Sequence, residues 1–237
     1  MSKPSECARR VAFFGGSFDP PHLGHLAVAR AARSALRLDS VLFAPVGAQP
    51  LKPSGATAIF ADRLAMTELA IAEEPDFAVS SADAPNPSGA PNYTIETLLR
   101  LRDELGPDAL LFCLMGADSF AQLKRWHRAA EIPFAAPLIV AARPGQRLDN
   151  LKAALPKGLS IQSLPDPDAS EIQLRRYLLR NSDGDPAPFY LLPGLKVEIS
   201  ASAIRRQISA PANSPPAAKN PLPQAVSDYI RSHQLYL

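Results

Sequence analysis

The sequence has few cysteines, little net charge and no long apolar run. Its 237 residues include two cysteines, too few for a disulfide framework. Cys113 lies in the apolar run ALLFCLM and is interpreted as a core residue, so we expect a reduced, cytoplasmic protein. No run approaches the roughly 20 apolar residues that a membrane span needs. No apolar stretch follows the charged N-terminal residues either, so we expect neither a membrane segment nor a signal peptide.

The charge balance is too mild to indicate a nucleic-acid-binding protein. The formal net charge is +2, and no basic stripe alternates with aromatic residues. Two common nucleotide-binding motifs are missing as well. The chain has neither a G-x-G-x-x-G after a predicted strand nor a G-x-x-x-x-G-K-[ST] loop, which excludes a dinucleotide fingerprint and a P-loop.

Short apolar runs alternate with helical patterns along most of the chain. Hydrophobic residues make up 46% of it, enough for a sizeable core. Runs that are apolar on successive residues fit parallel strands covered on both faces. These patterns predict an open, doubly wound parallel α/β sheet with helices on both faces, in a single domain spanning 1–237. Strands are expected at 10–14, 40–46, 76–81, 109–115 and 137–143, with a weaker one at 195–200, and helices at 22–38, 58–74, 94–104 and 118–131.

Three later segments are less regular. Residues 146–194 are expected to elaborate the sheet domain, with a possible helix at SEIQLRRYLLR (170–180). Residues 209–223 are rich in proline and alanine, which predicts an extended loop. Residues 224–235 are expected to form a last helix.

The stretch FFGGSFDPPHLGH, beginning at Phe13, holds the densest group of candidate functional residues. Two glycines follow a predicted strand, where glycine permits a sharp turn and close approach of a phosphate. Two prolines come next, and proline suits the start of a helix. His22 and His25 then fall on the first helical turn, where residues three apart share a face. Since a helix N-terminus favours anions, the pattern predicts an anion site with two imidazole donors.

Two other interpretations of the histidine pair stay open. The spacing of His22 and His25 permits a zinc pair, although further ligands would be needed and a helix N-terminus disfavours a cation. The other interpretation is that both side chains have a structural role and make their hydrogen bonds within the fold, which is the usual case for a lone histidine.

The sequence GGSFDPPHLGH resembles the signature of the HxGH nucleotidyltransferases. Further matches are similar to successive blocks of the bacterial nicotinate-nucleotide adenylyltransferases, a family with a Rossmann-like fold. The resemblance covers most of 10–145 and 195–237, whereas 146–194 diverges and is longer than the family leads us to expect. The matching blocks are PNYTIETLLRL (91–101), LMGADSFAQLKRWHRAAEI (114–132), IVAARPG (139–145), ISASAIRRQI (199–208) and the final PQAVSDYIRSHQLY.

The resemblance implies adenylyl transfer from ATP to nicotinate mononucleotide, giving deamido-NAD and pyrophosphate. The attack would be direct and in line, without a covalent intermediate, with Mg²⁺ accompanying ATP. It implies catalytic roles for His22, His25 and Arg205. Residues implied to contact ATP or phosphate are Gly15, Gly16, Ser17, Phe18, Lys52, Gly116, Asp118, Arg143, Ser200 and Ser202. Those implied to contact the mononucleotide are Tyr93, Thr94 and Trp126.

The ISASAIRR segment is expected to close the phosphate site. Ser200 is a plausible N-cap, and Ser202 and Arg205 would face the same anion one turn later. The family usually has threonine in place of Ser202, and the hydroxyl survives that change. Taken alone, the segment also fits an ordinary capped helix with a surface arginine.

Other implied residues also have structural alternatives. Leu51 stands where the family usually has histidine, and Lys52 also fits an exposed loop lysine. Asp118 could accept a bond from a ribose hydroxyl or merely cap the following helix. Trp126 resembles a residue that stacks on the pyridine ring, although a lone tryptophan is more often core; its charged neighbours favour a partly exposed ring.

Three rival functions remain at this stage. One is another adenylyltransferase of the superfamily, acting on nicotinamide mononucleotide or phosphopantetheine; the phosphopantetheine enzymes usually have threonine in place of His22. The second is a non-catalytic nucleotide-binding regulator, and a nucleic-acid-binding module is a weak third. The expected partners are small molecules, with no nucleic acid and no membrane, and a homo-oligomer stays open.

Overall fold

The computed structural model describes residues 8–51, 55–142, 151–165, 174–192, 199–210 and 220–237. Within these ranges, eight strands form one sheet. The strands are β1 (Arg9–Gly16), β2 (Ser40–Pro45), β3 (Phe77–Val79), β4 (Ala109–Gly116), β5 (Leu138–Ala141), β6 (Ser160–Ser163), β7 (Arg175–Arg180) and β8 (Pro186–Leu192).

Helices connect most of the strands. They are α1 (Leu23–Leu36), α2 (Phe60–Ile71), α3 (Thr94–Leu105), α4 (Ala117–Gln122), α5 (Ile132–Ala135), α6 (Leu151–Ala154), α7 (Ala201–Ile208) and α8 (Gln224–Ser232), with a 3₁₀ turn at Leu123–Arg125. The predicted helices at 22–38, 58–74 and 94–104 are confirmed, and so is the last helix.

The strand order places the site of ligand binding. The order is β3-β2-β1-β4-β5-β8-β7-β6. The pairs from β3 to β8 are parallel, whereas β7 and β6 pair antiparallel with their neighbours. The predicted doubly wound α/β sheet is therefore confirmed, with an antiparallel edge. Because the order reverses between β1 and β4, a crevice opens at their carboxyl ends.

Alternate residues of β1 pack into two halves of the core. Val11 and Phe13 belong to a buried cluster with residues of α3, α4 and α5. Ala12 and Phe14 belong to the cluster on the other face, with residues of α1, α2, α7 and α8. Burial on both faces is why this strand is apolar on successive residues.

The described parts of 146–194 extend the sheet through β6, β7 and β8, and one prediction there is wrong. The possible helix at 170–180 is a strand where it is described, since Arg175–Arg180 form β7. Tyr177 and Leu179 lie two residues apart and both pack against the core, with Leu179 fully buried. Leu174, Tyr177 and Leu178 also have a helical spacing, so periodicity alone could not separate a helix from a strand.

Two further elements differ from the prediction. Strand β8, which pairs with β5, was not predicted. Of the weaker strand predicted at 195–200, residues 195–198 lie outside the described ranges, and Ile199 and Ser200 are not in a strand. The helix predicted at 118–131 is interrupted, because α4 ends at Gln122 and a 3₁₀ turn follows. Trp126 then adopts an extended backbone, with φ −76° and ψ 154°, which ends the turn.

Candidate active site

A cavity of about 830 Å³ opens at the carboxyl ends of β1 and β4. Its size is within the range of small-molecule sites. Every predicted site residue that the structure describes lines it. They are Gly15, Gly16, Ser17, Phe18, His22, His25, Tyr93, Thr94, Gly116, Asp118, Trp126, Ser200, Ser202 and Arg205.

The glycine pair does not form the predicted sharp turn. Gly15 and Gly16 are the last residues of β1 and pair with β2. The chain turns after them, and Phe18 has the left-handed φ of 46°. A Cβ at Gly15 would lie 2.7 Å from the ring of Phe13, which favours glycine there. The glycines thus leave bare backbone along the cavity wall.

The two histidines stack on each other at the start of α1. His22 is the N-cap, in an extended backbone, and its ring centroid lies 3.7 Å from that of His25 with 22° between the planes. The backbone N–H of His22 donates to Nδ1 of His25 at 3.2 Å. In the neutral ring that bond leaves the proton on Nε2 of His25, so this nitrogen is a donor for an anion. Phe18 packs against the His25 ring at 4.9 Å and helps to orient it.

Gly24 gives the histidines room to stack. A Cβ there would lie 2.9 Å from both Cε1 and Nδ1 of His22. Any larger residue at this position would therefore displace the His22 ring. The glycine between the two histidines thus keeps their rings aligned.

Helix α7 brings Arg205 to the same end of the cavity. The Ser200 side chain accepts from the backbone N–H of Ala203 at 3.2 Å, so the predicted N-cap is confirmed. Nη2 of Arg205 faces Oγ of Ser202 at 3.5 Å, and Nη1 donates to the backbone carbonyl of Asp19 at 2.6 Å. Two imidazoles, a guanidinium and the N-terminus of α7 therefore surround one volume, which can hold and neutralise a polyphosphate.

The far end of the cavity is built from α3 and Trp126. Tyr93 is the N-cap of α3, and its carbonyl accepts from the N–H groups of Glu96 at 3.0 Å and Thr97 at 3.2 Å. The helix itself offers no carbonyl to the N–H groups of Thr94 and Ile95. The Tyr93 ring lies 4.3 Å from that of His127. Trp126 is partly buried against the core and lines the cavity, as its charged neighbours predicted. This end offers aromatic faces beside a helix N-terminus.

Between the two ends lie Gly116 and Asp118. Gly116 is the N-cap of α4, so the alternative that Asp118 is the helix cap is wrong. Asp118 is exposed on the first turn of α4 and faces the cavity. Two implied residues, Lys52 and Arg143, lie outside the described ranges.

Sequence reasoning missed two charged residues that support the end of the site near His22 and Arg205. Asp19 is buried, and its carboxylate accepts from the backbone N–H groups of Thr57 at 2.7 Å and Ala58 at 3.0 Å. Arg63 is also buried, and it donates to the carbonyls of Ser17 at 2.7 Å, Val46 at 2.8 Å and Ala58 at 3.2 Å. Burial lowers the pKa of Arg63. Asp19 stood inside the quoted motif, but the partners of both residues come from distant segments.

A third missed residue, Asp83, anchors the start of α3. Its carboxylate accepts from the Thr97 hydroxyl at 2.7 Å, and its backbone carbonyl accepts from Gly47 at 2.7 Å. Burial raises the pKa of Asp83, and the Thr97 bond and the Arg100 charge oppose that rise. Burial likewise raises the pKa of nearby Cys113 to about 12, so this thiol stays protonated.

The described residues contain neither a clustered metal-ligand set nor a membrane-spanning helix. No group of three or more His, Cys, Asp or Glu side chains is arranged there to hold a metal ion, so the histidine pair has no further zinc ligands of these kinds among those residues. No helix among the same residues is long and apolar enough to cross a membrane.

Comparisons with known proteins identify the family. A family model described as cytidylyltransferase-like matches residues 13–207. A protein of Laribacter hongkongensis named probable nicotinate-nucleotide adenylyltransferase is 38% identical over 227 residues, covering 95% of this chain and 94% of that protein. This chain belongs to the nicotinate-nucleotide adenylyltransferase family of cytidylyltransferase-like proteins. Another relative of the same name, from Dechloromonas aromatica, is 36% identical and covers 100% of this chain and 99% of its own length.

Two solved structures have the same fold as this chain. The Plasmodium falciparum nicotinic acid mononucleotide adenylyltransferase complexed with APC superposes with a TM-score of 0.66 and covers 96% of this chain and 97% of its own. The complex of that enzyme with NaAD gives a TM-score of 0.65. Their sequences are 17% and 15% identical to this one, so these two comparisons establish the fold alone.

Proposed function

We propose that this protein transfers the adenylyl group of MgATP to nicotinate mononucleotide, giving deamido-NAD and pyrophosphate, a step of NAD biosynthesis. The observation that carries the proposal is one cavity with a cationic, donor-rich end at His22, His25 and Arg205 and an aromatic end at Trp126 and the N-terminus of α3. A nucleoside triphosphate fits the first end and a pyridine mononucleotide the second. The names of the relatives agree with this assignment.

The chemistry needs alignment more than acid–base groups. A phosphate of the mononucleotide is largely ionised at neutral pH, since its second pKa is about 6, so no general base is required. One of its oxygens attacks the α-phosphorus of ATP in line and forms the new P–O bond. The bond from the α-phosphorus to the bridging oxygen of the β-phosphate breaks, and its electron pair leaves with pyrophosphate. No covalent enzyme intermediate forms.

The protein would stabilise the charge that moves during this transfer. Nε2–H of His25 can donate to the reacting phosphate, and His22 and Arg205 supply further donors beside it. Donors that are fixed before the reaction stabilise a transition state without reorganising. The stacking of the two imidazoles and the bond from Arg205 to the Asp19 carbonyl provide that fixation.

Magnesium enters this scheme as part of the substrate, MgATP. Mg²⁺ commonly keeps several waters and binds through substrate phosphates, so it does not require a carboxylate cage from the protein. Asp118 is the exposed carboxylate on the cavity wall that would meet either a ribose hydroxyl or a water of the ion. We propose a cytoplasmic location, because ATP, nicotinate mononucleotide and deamido-NAD are intracellular metabolites.

The direct test is turnover by the purified protein. We expect pyrophosphate release with MgATP and nicotinate mononucleotide, together with an equal amount of a product with the mass of deamido-NAD. MgATP with phosphopantetheine should release none. Turnover of phosphopantetheine, or no turnover of either acceptor, would contradict the proposal.

A further inference from the structure

The end of the cavity that contains His22, His25 and Arg205 is called the phosphate end below. Beside it, the buried carboxylate of Asp19 connects four parts of the chain. Its own segment lies between β1 and α1 and carries His22. The loop before α2 donates two backbone N–H groups to its carboxylate, as described above. Nη1 of Arg205 lies 3.6 Å from Oδ2, and the Tyr236 hydroxyl donates to Oδ1 at 2.8 Å. Asp19 and Tyr236 are separated by 217 positions in the sequence.

The charges around Asp19 explain what these contacts do for Arg205. Asp19 lies between two guanidinium groups, those of Arg63 and Arg205. The amide and phenol donors occupy its carboxylate oxygens, so Arg205 binds mainly the Asp19 backbone carbonyl at 2.6 Å and only borders the carboxylate. Its guanidinium is thereby oriented, and its ion pair with the Asp19 carboxylate stays long, at 3.6 Å.

Tyr236 remains a donor in this network. Burial and the Asp19 charge raise the pKa of its phenol, so it stays protonated at any physiological pH. Its backbone has a φ of 66°, an unfavourable conformation for a tyrosine that persists only where other contacts hold it. The bond to Asp19 is one such contact.

The segment 220–237 has a second contact with the site. The backbone carbonyl of Pro221 accepts from the N–H of Leu23 at 2.9 Å. Leu23 is the first residue of α1, so this bond satisfies an amide that the helix itself leaves open, directly beside His22. Both ends of the segment therefore contact the stretch from Asp19 to Leu23, which carries His22, and Tyr236 reaches Arg205 only through Asp19.

We propose that Asp19 and Tyr236 are positioning residues for Arg205, and that segment 220–237 thereby completes the phosphate end of the site. The role of Arg205 in binding ATP rests on the proposed function. Loss of the Tyr236 hydroxyl would let the Asp19 carboxylate turn to Arg205 and shorten their ion pair. The guanidinium would then bind phosphate less well.

The test compares two tyrosines of the same segment. Tyr236→Phe removes the bond to Asp19, whereas Tyr229→Phe removes a similar bond, from the Tyr229 hydroxyl to Asp62 at 3.0 Å, outside the cavity lining. The readouts are the Kd of α,β-methylene-ATP by calorimetry, and kcat and the two KM values. We expect Tyr236→Phe to weaken the analogue about tenfold and to raise the KM for ATP similarly. The KM for the mononucleotide should change less than about twofold, and Tyr229→Phe should change neither constant by more than that.

A double-mutant cycle shows whether Tyr236 acts through Arg205. In an Arg205→Ala background, the effect of Tyr236→Phe on analogue binding should largely disappear. Equal effects of the two tyrosine variants, a full effect without Arg205, loss of folding in Tyr236→Phe, or no analogue binding by the wild type would each overturn the proposal. A wild-type protein that binds the analogue but does not adenylate nicotinate mononucleotide would refute the proposed function, and the binding data would still decide the role of Tyr236.

Discussion

Single residues at the start of α1 set the geometry of the phosphate end. The His22 N–H holds Nδ1 of His25, Phe18 packs on the same ring, and Gly24 leaves space for the stack. The sequence predicted the shared face of the two histidines, because three-residue spacing at a helix start fixes it. It could not predict Asp19 or Arg63 as partners of this region, since their contacts depend on how distant segments meet.

Replacing His25 tests the residue scale. His25→Ala is expected to lower kcat about a hundredfold or more, because it removes a donor fixed for the transition state. The fold should stay intact, since the ring is only partly buried. Steady-state kinetics and a thermal melt measure the two effects. His233→Ala is the control: it removes an imidazole at the end of α8 that stacks on Tyr229 at 3.8 Å, outside the cavity lining, and should leave kcat unchanged. Near-normal turnover by His25→Ala would exclude this role.

Elements differ in how far their sequences determine them. Strand β1 was predictable because both of its faces are buried, and α1 because two prolines precede it and proline suits the start of a helix. Strand β7 was not, because RRYLLR satisfies a helical and an alternating pattern and its neighbour in the sheet decides between them. The break after α4 was also missed, since Trp126 leaves the helix to lie between core and cavity.

The strand assignment of β7 predicts unequal costs for two adjacent leucines. Leu179→Ala should lower the free energy of unfolding by about 2–5 kcal/mol, because the side chain is fully buried in the core. Leu178→Ala, at a half-buried position on the other face of the strand, should cost about 1 kcal/mol. Urea unfolding of both variants measures the difference. Equal costs would contradict the orientation of this strand.

Buried Asp83, at the start of α3, should make the stability of the protein depend on pH. Asp83 has a pKa raised by burial, so the native protein holds its proton more tightly than the unfolded chain and loses stability as pH rises above the unfolded value of about 4. Asp83→Asn keeps an acceptor for Thr97 and removes this charge. It should therefore melt a few degrees above the wild type at pH 8, and the gap should close as pH falls toward 4.

An exposed carboxylate gives the control for this comparison. Asp183→Asn should leave the melting temperature unchanged at both pH values, because the Asp183 side chain is solvent-exposed. A lower melting temperature for Asp83→Asn at pH 8 would show that the charged form stabilises the fold.

At the scale of the whole molecule, the sheet order brings the two substrate ends together. The crevice between β1 and β4 lies under α1 and α7 on the phosphate side and reaches the start of α3 on the other. The parallel pairing of the strands followed from the alternation of elements, whereas their order and the antiparallel edge of β7 and β6 did not. The contacts of segment 220–237 with Asp19 and Leu23 also required the structure, because they join residues at opposite ends of the sequence.

The central claim is that this cavity adenylates a pyridine mononucleotide that carries an acid. Nicotinate and nicotinamide have nearly the same shape, so charge and hydrogen-bond polarity must separate them. The N–H groups and dipole at the start of α3 would favour a carboxylate on a pyridine ring bound there, and an amide NH₂ in its place would meet them donor to donor. Each buried mismatch costs about 1–3 kcal/mol.

The most direct measurement is therefore kcat/KM of the wild-type protein for the two mononucleotides at saturating MgATP. Two mismatches predict a preference for nicotinate mononucleotide of about a hundredfold or more. Trp126→Ala should weaken both substrates, since the ring would stack on either pyridine, and should leave their ratio nearly unchanged. Equal kcat/KM values for the two mononucleotides in the wild type would contradict the assignment of the acid site to α3.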